Sequence, residues 1–432
     1  MQPAKKSGMV AAYTTMRLLI HNFHLLPLTL LALTPASLGQ VEAAIVTPKL
    51  PLLPLDPARA QMVGEISGDD LKIPHEREEI ARLQIFLDQQ DFGPGVLDGK
   101  MGTFTKMAIE AYNKKFGRKD CEWNQVKEDS KREVPNLYAT AIVPEVASKF
   151  VDTNFRWGND RGYQSTRKNM PYRSIAEFIA ERYHTTEDFL KLINGKKVIE
   201  NAGVRTAMRV PNVEPFRIEI MALGRTYKSD PVLSKRWAVI DTKQKQIRIY
   251  EPLEPILSKE PSTEQENQET PPNVNPVETK PTRISIIDSP TPGSPRAMIV
   301  EDDPNPEQNL TIHDEHRAII VAAYPITPGK PQFIRYGTWT MKNSIEFPTW
   351  RFDDSLLKTG ERSTTSLTIP SGPNNPVGVH WMGLSRRGIG IHGTHQPDKI
   401  GRGRSAGCIR MANWDVTKLP QLIRPGATVI IK

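Results

Sequence analysis

Only two cysteines, Cys121 and Cys408, occur in 432 residues, so a small disulfide-stapled scaffold is excluded. There is no His-Glu-x-x-His segment and no closely spaced cysteine pair. The common zinc signatures are therefore missing, although Cys408, His392 and His395 are each of a metal-ligating type. Acidic residues are absent from the first 40 positions, where Lys5, Lys6 and Arg17 precede an apolar stretch over residues 25–33. That stretch is interrupted by Pro27, followed by Pro35, and falls short of the ~20 residues a spanning helix needs. Basic then apolar then small residues up to Ala43 describes an export signal, residues 1–44, cleaved near Ala43 or kept as an uncleaved anchor. No basic helix interleaves with stacking aromatics, so nucleic acid is set aside as a partner.

What is present points to several modules. The length allows two or three folded units, and 37 prolines suit stiff segments between them. A net charge of +8, from 57 Lys and Arg against 49 Asp and Glu, suits contact with an acidic polymer or surface. After a linker at 45–70, helical spacing appears in Ile80, Leu83, Ile85, Phe86 and Leu87, and again in Met107, Ala108, Ala111, Tyr112 and Phe116. The glycine-rich turn Phe92 to Gly102 separates the two stretches. Leu83-Gln84, Asp98-Gly99 and Tyr112 to Phe116 together resemble the peptidoglycan-binding type 1 domain, placed at 71–118.

A connector, 119–170, leads to a second small unit at 171–216. There Ile175, Phe178, Ile179, Phe189, Leu190 and Ile193 fit two short helices before the strand-like Met208 to Asn212. This outline resembles LysM, a βααβ unit that binds N-acetylglucosamine polymers; a plain helical spacer is the alternative. From Trp237 the period changes to two. Trp237 to Asp241 and Gln246 to Tyr250 predict a hairpin, strands resume at Ala318 to Ala323, and the chain closes on Thr428 to Ile431. Between them the proline-rich, acidic segment 252–316 reads as an extended insertion that cannot bury enough apolar surface to order itself. The predicted fold is multidomain α+β: a helical module, a βααβ module and a β-rich catalytic domain at 217–432.

Chemistry concentrates near the carboxyl end, where Ile389-Gly-Ile-His392-Gly-Thr394-His395 is followed by Ser405-Ala-Gly-Cys408-Ile-Arg410-Met411. A neutral thiol is a weak nucleophile, and a neighbouring imidazole that takes its proton yields the reactive thiolate. Cys408 and His392 can supply that pair. Gly407 leaves room for a tetrahedral carbon, and backbone N–H groups beside Cys408 can hold an oxyanion.

With Thr327-Pro328-Gly329, Gly372 to Gly378, His380-Trp381, Asp415, Leu419 and Pro425-Gly426, this segment resembles the L,D-transpeptidase, or YkuD-like, catalytic domain. The resemblance implies Cys408 as nucleophile, His392 as general base and the carbonyl of Gly393 as the group that orients the imidazole. It implies Arg410, Ser405, Gly407, Trp381 and His395 as substrate contacts. Ala406 departs from the family's pattern, which has histidine there, so any role of that second imidazole is lost or moves elsewhere, for instance to His395. Arg386, Arg387, Arg402 and Arg404 could guide substrate carboxylates.

The implied reaction is thioester formation with the third residue of a peptidoglycan stem tetrapeptide, with release of D-alanine. Transfer to an amine then gives a 3-3 cross-link, and transfer to water gives L,D-carboxypeptidase activity. The implied partners are peptidoglycan stem peptides and glycan, with a lipoprotein amine as another acceptor; the membrane is met only through the amino-terminal signal or anchor. No cofactor or metal is implied, and the location is the periplasm or cell envelope. A non-catalytic wall-binding protein is the rival from another class. Cys121 is expected to be a partly buried bystander that is not joined to Cys408.

Overall fold

The computed structural model describes residues 73–156, 158, 160–253, 313–355, 363–386, 388–403 and 407–432. The export signal, the 45–70 linker, most of the proline-rich insertion, and Ser405, Ala406, Arg387 and Arg404 lie outside the described residues. Among the described residues no helix is long and apolar enough to cross a membrane.

Helices α1 (His75–Gln89), α2 (Thr103–Lys115) and α3 (Trp123–Glu133) form the first module. The Leu83-Gln84 and Asp98-Gly99 pairs owe their spacing to one side chain. Gln84 is buried, and its Oε1 accepts from the backbone N–H groups of Asp98, at 3.1 Å, and Gly99, at 2.8 Å. Its Nε2 donates to the Lys100 carbonyl at 3.1 Å and to Thr105 Oγ1 at 3.2 Å, which ties the loop to the start of α2. Gly99 has φ +68°, and a Cβ there would come within 2.6 Å of the Arg77 carbonyl oxygen, so glycine is required. Phe116, grouped with the apolar face by its spacing, is 51% exposed because α2 ends at Lys115 and Phe116 lies beyond its last turn, against Tyr112. Between α1 and α3 lies a cleft of about 190 Å³ lined by Leu83, Met101 and Trp123, with Glu79, Arg82 and Lys127 also on its wall.

Next come β1 (Tyr138–Ile142), α4 (Arg161–Ser165), α5 (Ile175–Arg182), α6 (Glu187–Asn194), α7 (Lys196–Glu200) and β2 (Ala207–Pro211). Helices α5 and α6 bury Phe178, Ile179, Phe189, Leu190 and Ile193, and Ser174 and Thr186 cap them by accepting from the N–H groups of Glu177 and Phe189. Strand β2 pairs antiparallel with β1, from Tyr138↔Pro211 to Ile142↔Ala207. The partner strand thus comes from 138–142, inside the stretch expected to be connector. Its sequence, Tyr-Ala-Thr-Ala-Ile, is too short and too exposed to announce itself as a strand, and pairing rather than burial defines it.

The remaining strands are β3 (Trp237–Asp241), β4 (Gln246–Pro252), β5 (Ala318–Pro325), β6 (Gly337–Glu346), β7 (Trp350–Phe352), β8 (Leu367–Ile369), β9 (His380–Leu384), β10 (Gly390–His392), β11 (Ile409–Arg410) and β12 (Thr428–Ile431). The short helix α8 (Asn413–Val416) lies between the last two. Eight of them form one sheet in the order β11-β10-β9-β6-β12-β3-β4-β5, and β7 pairs with β8 separately. The terminal strand β12 runs parallel to β3 and antiparallel to β6 in the middle of the sheet, with Val429 and Ile431 buried. Pro252 pairs with Ala318, so the insertion leaves and re-enters the sheet from neighbouring positions of β4 and β5.

The modules share a core. Phe92 bridges to Ala323 of β5, with the Gly93 N–H donating to the Ala323 carbonyl at 2.7 Å and the Ala323 N–H donating to the Asp91 carbonyl at 3.0 Å. Beside this backbone seam a buried polar junction joins all three parts: His184 Nδ1 lies 3.0 Å from Asp88 Oδ2, Lys418 Nζ lies 3.4 Å from the same oxygen, and the His184 ring stacks on Trp414 at 5.3 Å.

Candidate functional site

His392 ends β10, and Cys408 immediately precedes β11, the edge strand that runs parallel to β10 with Ile391 opposite Ile409 and His392 opposite Arg410. Side chains alternate along a strand, so Ile391 and Ile409 enter the core together, while His392, Arg410 and Cys408 share the other face. The sixteen-residue separation in sequence becomes a neighbour relation across one strand pair.

The buried His392 ring places Nδ1 2.7 Å from the Gly393 carbonyl oxygen. A carbonyl can only accept, so Nδ1 carries the proton and Nε2 keeps its lone pair. Trp381, opposite His392 on β9, stacks on the imidazole at 5.6 Å with the planes 15° apart. Gly390 makes room for that indole: a Cβ there would lie 2.5 Å from Trp381 Cζ2.

Cys408 is partly exposed. Its thiol donates to the Gly388 carbonyl at 3.5 Å. Burial of the sulfur raises the thiol above its ordinary range, opposed by the Gly390 N–H and the Arg410 charge. Burial, with Arg410 adding to it, lowers His392 to about 3 against the pull of the Gly393 carbonyl. Burial thus favours the neutral form of each group, thiol and imidazole alike.

Gly407, at φ +111°, occupies the left-handed side of backbone space, and Thr327-Pro328-Gly329 packs directly on it. A Cβ on Gly329 would lie 2.5 Å from Gly407 Cα. Thr327 bonds Arg410 in both directions, N–H to carbonyl at 2.9 and 3.0 Å, and its Oγ1 accepts from the Gly401 N–H at 2.7 Å. This turn clamps the segment on either side of Cys408.

The structure brings Cys408, His392, Gly393, Gly407, Trp381 and Arg410 together and sets His395 beside them; Ser405 lies outside the described residues. His395 is lowered to about 3 by burial and by Arg410, Arg161, Arg173 and His392. Of the loop arginines expected to guide substrate, Arg386 is half-buried and Arg402 exposed. Arg161, from α4, was not foreseen. Its guanidinium lies over Trp350 at 5.2 Å and Phe352 at 5.8 Å, and burial and the charge on Arg410 lower it. Nothing around Arg161 in sequence distinguishes it from other surface arginines.

Asn413 was missed as well. Its Oδ1 accepts from the N–H groups of Val379 and Thr394, each at 3.2 Å, and a Cβ on Gly378 or Gly393 would lie 2.2 or 2.1 Å from that oxygen. The two glycines before and after the histidine strand were the available signal, since each reports a close approach by something else. Cys121, expected to be partly buried, is exposed in the turn before α3, and the two cysteines are not bonded to each other. Among the described residues no group of three His, Cys, Asp or Glu side chains could hold a metal ion.

Residues 235–431 match the family model of the YkuD L,D-transpeptidase catalytic domain. Over these residues the chain is similar to L,D-transpeptidase catalytic domains. The matched region begins 18 residues after the expected start at 217 and contains every candidate site residue. Among curated relatives, the chain is 42% identical over 93 residues to "Putative L,D-transpeptidase YqjB" of Bacillus subtilis, covering 18% of this chain and 53% of that protein. It is 31% identical over 115 residues to "Probable L,D-transpeptidase ErfK/SrfK" of Escherichia coli, covering 26% and 37%. The chain thus spans about a third to a half of the length of the curated relatives it matches. The crystal structure of L,D-transpeptidase 3 from Mycobacterium tuberculosis with a faropenem-derived adduct aligns at 13% identity and a TM-score of 0.25, over 54% of this chain and 76% of that one. The matched region accounts for less than half of the chain, and the family match does not extend to the modules built on α1 to α7.

Proposed function

We propose that the chain is a cell-wall L,D-transpeptidase that works through a Cys408 thioester. The observation that carries this reading is the His392 tautomer: with Nδ1–H engaged by Gly393, the basic Nε2 is available on the face that Cys408 shares. As Cys408 Sγ attacks the carbonyl of the third residue of a stem tetrapeptide, Nε2 takes the thiol proton. The new S–C bond and the broken C–N bond leave a thioester, and the proton passes from His392 to the departing D-alanine amine. An amine from a second stem then attacks, His392 takes its proton, and the thiol is restored as the 3-3 cross-link forms. Proton transfer during attack fits a pair in which burial favours both neutral forms. Backbone N–H groups beside Cys408 would hold the oxyanion, and Arg410 would meet a substrate carboxylate.

Water as acceptor gives an L,D-carboxypeptidase, and a lipoprotein amine gives an anchoring enzyme; the same thioester precedes all three. The amino-terminal modules would bind the wall polymer. The cleft between α1 and α3 supports this, because an indole beside polar side chains suits a sugar ring with its hydroxyls. An exported, periplasmic or envelope location fits a wall substrate and is part of this reading.

Mass spectrometry of muropeptides from purified sacculi tests the proposal. Cross-linked 3-3 dimers should appear with the full chain and vanish with Cys408→Ala. Tripeptides alone would identify the carboxypeptidase, and unchanged sacculi that retain bound protein would leave only a binding module.

A further inference from the structure

The peptide group between Gly393 and Thr394 is one rigid plane with two ends in use. Its carbonyl receives the His392 Nδ1 proton at 2.7 Å, and its N–H donates to Asn413 Oδ1 at 3.2 Å. Because the peptide is planar, holding the N–H fixes the direction of the carbonyl and so the tilt of the imidazole. Asn413 Oδ1 also takes the Val379 N–H, and the bare Cα positions of Gly378 and Gly393 let this oxygen sit against the backbone.

An asparagine can present either oxygen or nitrogen to such donors, so something must choose. Here Nδ2 of Asn413 donates to Glu181 Oε1 at 2.9 Å and reaches the Pro373 carbonyl at 3.4 Å. Both partners are acceptors, and a flipped amide would set oxygen against oxygen on one side and N–H against N–H on the other. Glu181 belongs to α5, outside residues 235–431. It is buried, and its other oxygen is bonded by the hydroxyl of Tyr172, itself buried. Burial raises its carboxyl to about 8 against the hydrogen bonds from Tyr172 and Asn413, with Glu177 the charged neighbour. A neutral carboxyl still offers its carbonyl oxygen to Asn413.

We propose that Glu181 is a positioning residue for His392, acting through Asn413 and the Gly393–Thr394 peptide plane. The role rests on the reading of His392 as the base for Cys408. In consequence the module that carries α5 does more than tether the catalytic domain: a side chain outside the family-matched region completes the support of its histidine.

The test uses the full chain and the second-order rate of Cys408 acylation by a carbapenem, followed by intact-protein mass from pH 5.5 to 9. In Asn413→Asp the oxygen facing the two amides is kept, but a second oxygen faces Glu181. Acylation should slow at least about tenfold at neutral pH, and further as the two carboxyls lose their shared proton. Adding Glu181→Gln supplies an N–H toward the new aspartate and should restore the rate to within about threefold of the parent and flatten the excess pH dependence. A merely structural role predicts no such rescue. A single variant as fast as the parent, or a double variant as slow as the single, would overturn the assignment. If Asn413→Asp does not fold, Glu181→Leu is read against Glu181→Gln: slower acylation in the leucine variant alone supports the role, and equal rates overturn it. A parent protein that forms no adduct overturns the acyl-transfer reading itself, a result distinct from variants that match an active parent.

Discussion

Lys418 and Asp88 stand 330 positions apart in sequence and meet in a buried junction, Nζ donating to the Asp88 carbonyl at 3.1 Å and to its carboxylate at 3.4 Å. The contact joins α1 to the end of the catalytic domain, with His184 of the middle module on the same carboxylate. Burial by itself would raise the Asp88 carboxyl, but His184 and Lys418 together hold it well below the usual carboxylate range. Burial lowers His184 in spite of Asp88.

Asp88→Asn should therefore destabilise the protein by about 3 kcal/mol, the low end for breaking a buried pair, because Lys418 keeps Asp91 at 3.7 Å and is 26% exposed. The pH dependence follows from the signs. A histidine with a lowered folded pKa costs stability once pH falls below its unfolded value of about 6.5, and a carboxylate with a lowered pKa does so below about 4. Urea unfolding between pH 7 and 2 should show the parent losing stability on acidification, first through His184 and, below about pH 4, through Asp88. In Asp88→Asn the second loss should be absent. A variant as stable as the parent at pH 7 would show that the junction contributes little.

Burial raises the Cys408 thiol and lowers His392, so alkylation of Cys408 should keep rising with pH beyond the ordinary thiol value of about 8.5. His392→Ala should alter that profile by less than about twofold while abolishing acyl transfer. Iodoacetamide labelling in a Cys121→Ser background, read by peptide mass, checks both. A plateau already at pH 6 would reveal a preformed thiolate and imidazolium.

Gly329→Ala should damage the site from outside it. The added methyl would lie 2.5 Å from Gly407 Cα, backbone against backbone, so the segment carrying Cys408 must shift. A displacement near 1 Å costs reactivity on the order of 100-fold. Acylation rate and circular dichroism measured together should show the rate falling with the fold retained; an unchanged rate would mean that the turn does not set the position of Cys408.

Replacing residues 254–312 with a short glycine-rich turn should leave the domain folded, since Pro252 already pairs with Ala318 and the Leu253 N–H donates to the Arg317 carbonyl at 3.1 Å. Shortening a loop changes closure entropy only slowly, by about 0.6 kcal/mol per halving, so stability should hold or rise slightly. Loss of muropeptide products with intact Cys408 acylation would assign the insertion to substrate delivery.

The strands β3, β4, β5 and β12 and the helices α1, α2, α5 and α6 could be read from periodicity, because each carries its own apolar pattern. Strand β1 could not, since Tyr138 to Ile142 buries only Ala141 and is a strand only through β2. Likewise Cys408, His392 and Gly393 were legible as a motif, whereas Asn413 and Glu181 act through single hydrogen bonds that span 19 and 232 positions.

Composition and spacing alone picked out Cys408, His392 and the glycines around them, because thiol chemistry and close backbone approach each demand particular residue types at short spacing. Packing across the fold buries the thiol and the imidazole, holds the Gly393–Thr394 peptide plane on Asn413 and brings α5 to that asparagine. Burial and long-range pairing set those properties. Both depend on what the fold packs together, and neither leaves a periodic trace along the chain.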